Sequence, residues 1–127
     1  MFTNLEVFQT SHAMARHAGA RQALTAANLA NADTPGYRAR HMAPFADVHG
    51  TDKNVYLQAT REGHLSTGPA GGIARTQDAA VETAPNGNSV SLELEMINAV
   101  EIQREHSRAL AIYKHSLDVL RTSIGRR

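Results

Sequence analysis

The last third of the chain repeats in sevens. Met96, Ala99, Gln103, His106, Leu110, Tyr113, Leu117, Leu120 and Ile124 follow one another at alternating steps of three and four. That is an a/d seam held for about four heptads, and only an α-helix keeps such positions on one side. Ile102, Ala109, Ile112 and Val119 widen the stripe along a second flank. The pattern predicts a helix over residues 89–125. Ser91 suits its N-cap, and Glu93 and Glu95 stand in the first turn, where the helix dipole favours acids. Arg121 suits the last turn and Gly125 the C′ position. At about 1.5 Å per residue, roughly 33 residues make a rod of roughly 50 Å. Gln103 and His106 place two polar groups in the seam. Such residues either fix register at some cost in stability or sit at a wet edge.

A stripe this wide needs cover, and the other end of the chain offers some. Residues 1–31 read as a second helix, roughly 42 Å long. Thr3 and Glu6 have the spacing of a capping box, and Phe2 and Val7 that of a hydrophobic staple. Leu5, Phe8, Ala15, Ala26 and Leu29 share a broad face, interrupted by His12, Gly19 and Gln22. Between residues 13 and 32, nine residues are Ala. Small side chains let another helix come close but bury little area. At roughly 25 cal/mol per Å² such a helix gains little alone and needs a partner. The expected fold is therefore mainly α: an antiparallel, coiled-coil-like hairpin of long N- and C-terminal helices. Residues 1–31 and 89–127 form one helical unit in this reading. One Ala-rich helix cannot cover the whole stripe of the other, so helices from other copies are the natural cover.

Residues 32–88 lack sustained periodicity. Glycine and proline recur at Gly50, Gly63, Gly68-Pro69, Gly71-Gly72 and Pro85-Asn86-Gly87. A segment this long is unusual as a loop in a compact domain and is expected to be mobile in the isolated monomer. Short apolar alternation at Val55-Tyr56-Leu57 leaves room for a strand or a docking segment. The segment opens with a sharp stop. In Asn28-Leu-Ala-Asn31-Ala-Asp-Thr-Pro-Gly-Tyr37, Asn31 suits the left-handed conformation that ends helices. Asp33 and Thr34 can bond the local backbone in place of the helix ladder. Pro35 fixes its own φ and pushes Thr34 out of the helical region. Pro35-Gly36 suits the centre of a type II turn, with φ > 0 at the glycine.

Several function classes find no support. Net charge is +1, far from the basic stripe of a nucleic-acid binder. There is no Cys, so no disulfide and no thiolate metal site. Three Phe, three Tyr and no Trp give few large groups for a globular interior. No apolar run approaches the roughly 18 residues of a membrane span. The N-terminus has no basic stretch followed by an apolar one, so no cleavable secretory signal is expected. The seven His show no ligand spacing: His12 and His17 diverge around a helix, His106 and His115 point to different faces, and His41, His49 and His64 are scattered. No metal, cofactor, nucleophile or phosphate-binding motif is expected, and no small-molecule substrate. Ser89 and Ser91 read as caps. Glu101 and Glu105 read as a solvated face able to pair with Arg104 or Arg108. Arg126-Arg127 is weak support for an acidic partner or lipid.

The string NLANADTPGY, about 30 residues in and behind an Ala-rich helix, resembles the N-terminal signature of the bacterial flagellar rod and hook proteins. The shortness of the chain and the stretch Asn88-Ser-Val-Ser-Leu-Glu-Leu-Glu-Met96 are most similar to the proximal rod FlgB family. Ser91 stands where many relatives carry Asp. Thr60 through His64-Leu65 looks like a short recurring element of proximal rod proteins, a weaker match. The resemblance implies a structural, non-enzymatic subunit that polymerises into a helical tube, transmitting torque and enclosing the export channel. It implies location in the basal body, reached by flagellar export without signal cleavage. It also implies partners: other copies, other rod proteins, a rod adaptor subunit, the membrane ring and the export gate. The middle segment is then expected to order against neighbouring subunits. Asn28, Leu29, Asn31, Thr34, Pro35, Gly36 and Tyr37 become the signature residues for assembly, joined by the seam at Met96, Gln103, His106, Leu110, Tyr113, Leu117, Leu120 and Ile124. A generic helical adaptor would share the seam but not the signature, and a metal-binding protein would share neither.

Overall fold

The structure, a computed structural model, describes residues 2–49, 76–79 and 82–125, the first four by their backbone only. Helix α1 spans Phe2–Ala30, strand β1 Arg40–His41, helix α2 Phe45–His49, strand β2 Gln77–Asp78 and helix α3 Leu92–Ile124. The long helices run antiparallel. Asn28 near the end of α1 meets Glu95 near the start of α3, Arg21 meets Glu105, and Phe8 meets Tyr113. The fold is thus mainly helical, a pair of terminal helices with a less regular middle. β1 pairs antiparallel with β2, Arg40 opposite Asp78 and His41 opposite Gln77. The capping box at Thr3 and the staple at Phe2 depend on side chains outside the described residues. So do the readings at Leu5, Val55–Leu57, Thr60–Leu65 and Arg126-Arg127.

The face α3 turns to α1 is not its most apolar one. On α3 the buried and half-buried positions are Glu95, Asn98, Ile102, Glu105, His106, Ala109, Ser116, Leu117 and Leu120. On α1, Ser11, Met14, Ala18, Arg21, Thr25 and Asn28 are buried or half-buried and keep the matching three-four step. The stripe expected to pair the hairpin is rotated off its partner. Met96, Leu110 and Ile124 are 60, 51 and 80% exposed, and Ala99, Gln103 and Tyr113 are exposed too. On α1 likewise Ala26 and Leu29 face outward. Polar cross-links set this rotation. Asn28 bonds Glu95 at the closed end, and the Arg21 guanidinium meets the Glu105 carboxyl group at 2.7 Å farther along. Glu105 therefore bonds across the helices rather than along its own. Among the described residues the buried apolar side chains are Ala18, Ala39, Ile102 and Ala109, so three of four are alanines. Such a core releases little apolar area from water.

The helix ends depart from expectation in detail. Among the described residues only Gly36 and Gly87 have positive φ, so Asn31 does not end α1 in the left-handed conformation. The helix tightens instead: Asn31 N–H is shared between the Ala27 and Asn28 carbonyls, and Ala32 N–H reaches Leu29 O at 3.3 Å. Ser91 stands at the N-cap of α3, but its hydroxyl makes no capping hydrogen bond. Gly125 ends α3 at φ −81°, with its N–H on Arg121 O at 2.8 Å.

Two turns hold the closed end of the pair together. In the first, Tyr37 N–H donates to Thr34 O at 3.3 Å and Gly36 has φ +72°, as a type II turn at Pro35-Gly36 requires. In the second, Gly87 N–H donates to Ala84 O and Ala84 N–H to Asn88 O, both at 2.8 Å, with Gly87 at φ +79°. That is the three-residue loop closed by a left-handed glycine. Gly36 N–H then donates to Asn86 O at 3.0 Å, tying turn to turn. A Cβ on Gly87 would stand 3.3 Å from Gly36 Cα, whereas one on Gly36 meets nothing within 4 Å. Gly36→Ala should thus cost about 1 kcal/mol from φ alone. Gly87→Ala should cost more, since it adds a tight backbone contact. Urea unfolding followed by circular dichroism at 222 nm checks the order.

Candidate functional site

The signature turn is built around a buried amide. Asn28 is fully buried on the last turn of α1. Its Nδ2 donates to Arg40 O at 2.9 Å and to Glu95 Oε1 at 3.1 Å. Its Oδ1 accepts from Arg40 N–H at 3.1 Å and from the Tyr37 hydroxyl at 3.3 Å. Two donors and two acceptors are the whole capacity of a carboxamide, and all four are engaged. One side chain so joins α1, the turn, β1 and α3.

A second amide closes the same junction from the other side. Asn88 Nδ2 shares its two hydrogens among three carbonyls just past the end of α1, Asn31 O, Ala32 O and Thr34 O, at 3.0, 2.7 and 2.9 Å. Its Oδ1 accepts from Val90 N–H at 2.7 Å, holding the segment that leads into α3. Beside it Ser89 Oγ accepts from Ala39 N–H at 2.9 Å, and Ser89 N–H donates to Tyr37 O at 3.0 Å. Ser89 is therefore a cross-chain clamp and not a helix cap.

Glu95 completes the cluster. It is 2% exposed, although its place in the first turn of α3 reads as a solvated acid. Oε1 accepts from Asn28 and faces His41 Nε2 at 3.3 Å, while Oε2 is buried without a hydrogen-bond partner. About three turns back along α1 from Asn28, His17 is buried with both ring nitrogens unpartnered and its ring edge-on to Phe45 at 5.7 Å. Burial, then the neighbouring Arg21 cation, push its pKa below the ordinary histidine value, against a smaller upward pull from Glu105.

The expected residues divide into those the structure brings together and those it leaves outside. Asn28 and Tyr37 share a bond, and Gly36 forms the turn. Asn31 is half-buried and local: its Nδ2 donates to Ala27 O at 2.8 Å, and its Oδ1 accepts from Thr34 Oγ1 at 3.2 Å. Leu29 and Pro35 point to the exterior. Of the seam, His106, Leu117 and Leu120 are half-buried and the rest lie exposed. Asn88, Glu95, Arg21 and His17 are not picked out by sequence. Glu95 does carry a signal: with Asn98, Ile102, Glu105 and Ala109 it keeps a heptad step one residue ahead of the apolar stripe. Among the described residues no three His, Asp or Glu side chains group for a metal ion.

This arrangement does no covalent chemistry; it fixes geometry. Removing the Asn28 amide leaves the Glu95 carboxyl group, Arg40 N–H and Arg40 O without it in a buried place. Asn28→Ala should destabilise the chain by about 2–4 kcal/mol, more than a single exposed hydrogen bond. Asn28→Asp should cost at least as much at neutral pH, since an ionised Asp offers Glu95 no donor and sets like charge beside it. A double-mutant cycle of Asn28→Ala with Glu95→Ala in urea unfolding should return a coupling of about 1–3 kcal/mol.

Comparison with known proteins converges on this junction. The sequence model of the family described as flagella basal body rod protein matches residues 13–38, the half of α1 and the turn that hold His17, Arg21, Asn28 and Tyr37. Across 115 residues the chain is 29% identical to the flagellar basal body rod protein FlgB of Agrobacterium fabrum, covering 87% of this chain and 86% of that one. Across 106 residues it is 30% identical to FlgB of Cereibacter sphaeroides, covering 82% of each. FlgB of Proteus mirabilis is 33% identical over 87 residues, 61% of this chain and 64% of its own. With similarity sustained along both helices, the chain belongs to the FlgB family of flagellar basal body rod proteins and is a structural subunit of that rod.

Proposed function

We propose that this subunit polymerises, with copies of itself and other rod proteins, into the proximal part of a helical tube that transmits torque and encloses the export channel. Residues 1–31 and 89–127 act as the rod-core unit, and residues 32–88 serve as the irregular segment facing neighbours. The rod adaptor subunit, membrane ring and export gate are the partners at the base. The chain reaches the rod by flagellar export without signal cleavage.

One observation carries this reading: α3 turns its more apolar face outward. Leu92, Leu94, Met96, Ile97 and Val100 are all exposed within three turns at the start of α3, and Leu110, Ile112, Val119 and Ile124 continue outward beyond them. A lone soluble monomer rarely exposes apolar side chains so densely. Helices of neighbouring subunits are the cover that a rod supplies, and repeated head-to-tail contacts of this kind build open filaments. Packing over the full length of such helices gives the stiffness that torque transmission needs.

Met96→Asp and Leu110→Asp place a charge on that outer face without touching the helix pair. Each should leave monomer stability within about 0.5 kcal/mol and abolish rod formation. The readouts are circular dichroism of the purified variant, and soft-agar motility with images of basal bodies in a strain whose only copy is the variant. An in-frame deletion should leave membrane rings without a rod. Normal swimming and intact rods in the charged variants would place the lateral contacts elsewhere.

A further inference from the structure

We propose that α2 is an acid-released strap: protonation of the buried His17 lifts the Phe45–His49 turn off α1. This inference concerns the chain's own fold and does not rest on the rod architecture above. The packing is small and specific. Phe45 lies edge-on to the His17 ring at 5.7 Å, and His49 stacks on the outer face of Phe45 at 4.9 Å. None of the residues of α2 is fully buried, so its hold on α1 is shallow. The Asp47 N–H to Pro44 O bond at 3.1 Å is internal to the segment.

What lies beneath the strap suits only an uncharged ring. Neither His17 nitrogen has a hydrogen-bond partner. A second proton would bring a cation and another donor to a buried ring whose nitrogens have no hydrogen-bond partner. From α1, Arg21 adds a positive charge one turn on. From α3, Glu105 offers the opposite charge, but the Arg21 guanidinium holds it at 2.7 Å. From α2, His49 stands behind Phe45, and Asp47 lies in the same turn. Burial and Arg21 outweigh Glu105, so the docked His17 holds its proton more weakly than a free one.

The direction follows from linkage. Lifting the strap relieves part of the burial that holds the His17 pKa down, so His17 titrates higher with the strap lifted than with it docked. Docking is at full strength above the value of the lifted state. It weakens as pH falls from there towards the docked value, because the lifted state binds more protons. Between pH 7.5 and 5.5 the docking equilibrium should fall by up to about tenfold. The result is a flank of α1 that is covered at neutral pH and open in acid.

Carbon-resolved NMR of the full-length protein from pH 8 to pH 5 tests this through the His C–H and Phe ring signals. His17 should titrate below the ordinary histidine range. The Phe45 ring signals should move to exposed values with the same midpoint, and amides 45–49 should lose protection from exchange by up to about tenfold. His17→Phe and His17→Gln, both uncharged, should keep the strap docked at pH 5.5, while His49→Phe should keep the acid response. Phe45 signals that ignore the titration of His17, acid release that persists in both His17 variants, or a Phe45 ring already free at pH 8 would each overturn the proposal.

Discussion

The geometry of the junction hangs on one carboxamide. Asn28 has two donors and two acceptors, and each is aimed at a different demand: Arg40 O, Glu95 Oε1, Arg40 N–H and the Tyr37 hydroxyl. A planar group with all its bonds made cannot rotate without breaking several at once, in a place where water is not at hand to replace them. The end of α1, the return of the chain through β1 and the start of α3 are thereby held in one relation. Asn88 gathers the Asn31, Ala32 and Thr34 carbonyls just past the end of α1 from the opposite side, and the two glycine turns let the backbones approach closely enough for both amides to reach.

That relation sets the rotation of the helices, and the rotation decides what they show outside. With Glu95 drawn in to Asn28 and Glu105 to Arg21, α3 presents Asn98, Ile102, Ala109 and Ser116 to its partner. Leu110, Met96 and Ile112 are then left outside. Packing the apolar stripe inward would bury more hydrocarbon, but it would carry Glu95 and Glu105 away from their partners. Alanines at Ala18 and Ala109 bring the two helices close without contributing much area. Monomer stability is thus limited at its source, and the larger apolar reserve lies on surfaces suited to other rod components.

Much of this was legible in the sequence because it follows from local rules. The two helices follow from periodicity, the stop after Ala30 from Pro35-Gly36, and the type II turn from a glycine that can adopt φ > 0. The rotation was not legible. An apolar count favours the stripe through Met96 and Leu110, whereas polar contacts between Asn28 and Glu95, 67 residues apart, favour the face one position earlier. Glu95 reads as a first-turn acid because nothing nearby in sequence marks a buried amide waiting for it. Asn88 fails for the same reason: within Asn86-Gly87-Asn88 it looks like turn composition, and its role exists only once the end of α1 arrives beside it. Asn31 is the reverse case, a residue suited to a left-handed cap that stays out of the left-handed conformation, because its own N–H already reaches the Ala27 and Asn28 carbonyls and its side-chain amide also bonds Ala27 O.

A buried polar junction is a costly way to hold two helices, since each desolvated group must recover its lost hydration through well-aimed bonds. The unpartnered Glu95 Oε2 shows that recovery is incomplete. The return is specificity of register and rotation, and a filament subunit has particular need of it. In a helical assembly each contact is repeated at every subunit, so a small error in the angle between α1 and α3 recurs along the rod instead of averaging out. An apolar seam tolerates slippage by a heptad, because one leucine replaces another; the Asn28–Glu95 bond, the Arg21–Glu105 pair and the Asn88 clamp have no equivalent one turn away. Polar contacts inside the subunit therefore define its shape, and the proposed assembly draws on the apolar side chains of α3 that those contacts leave outside.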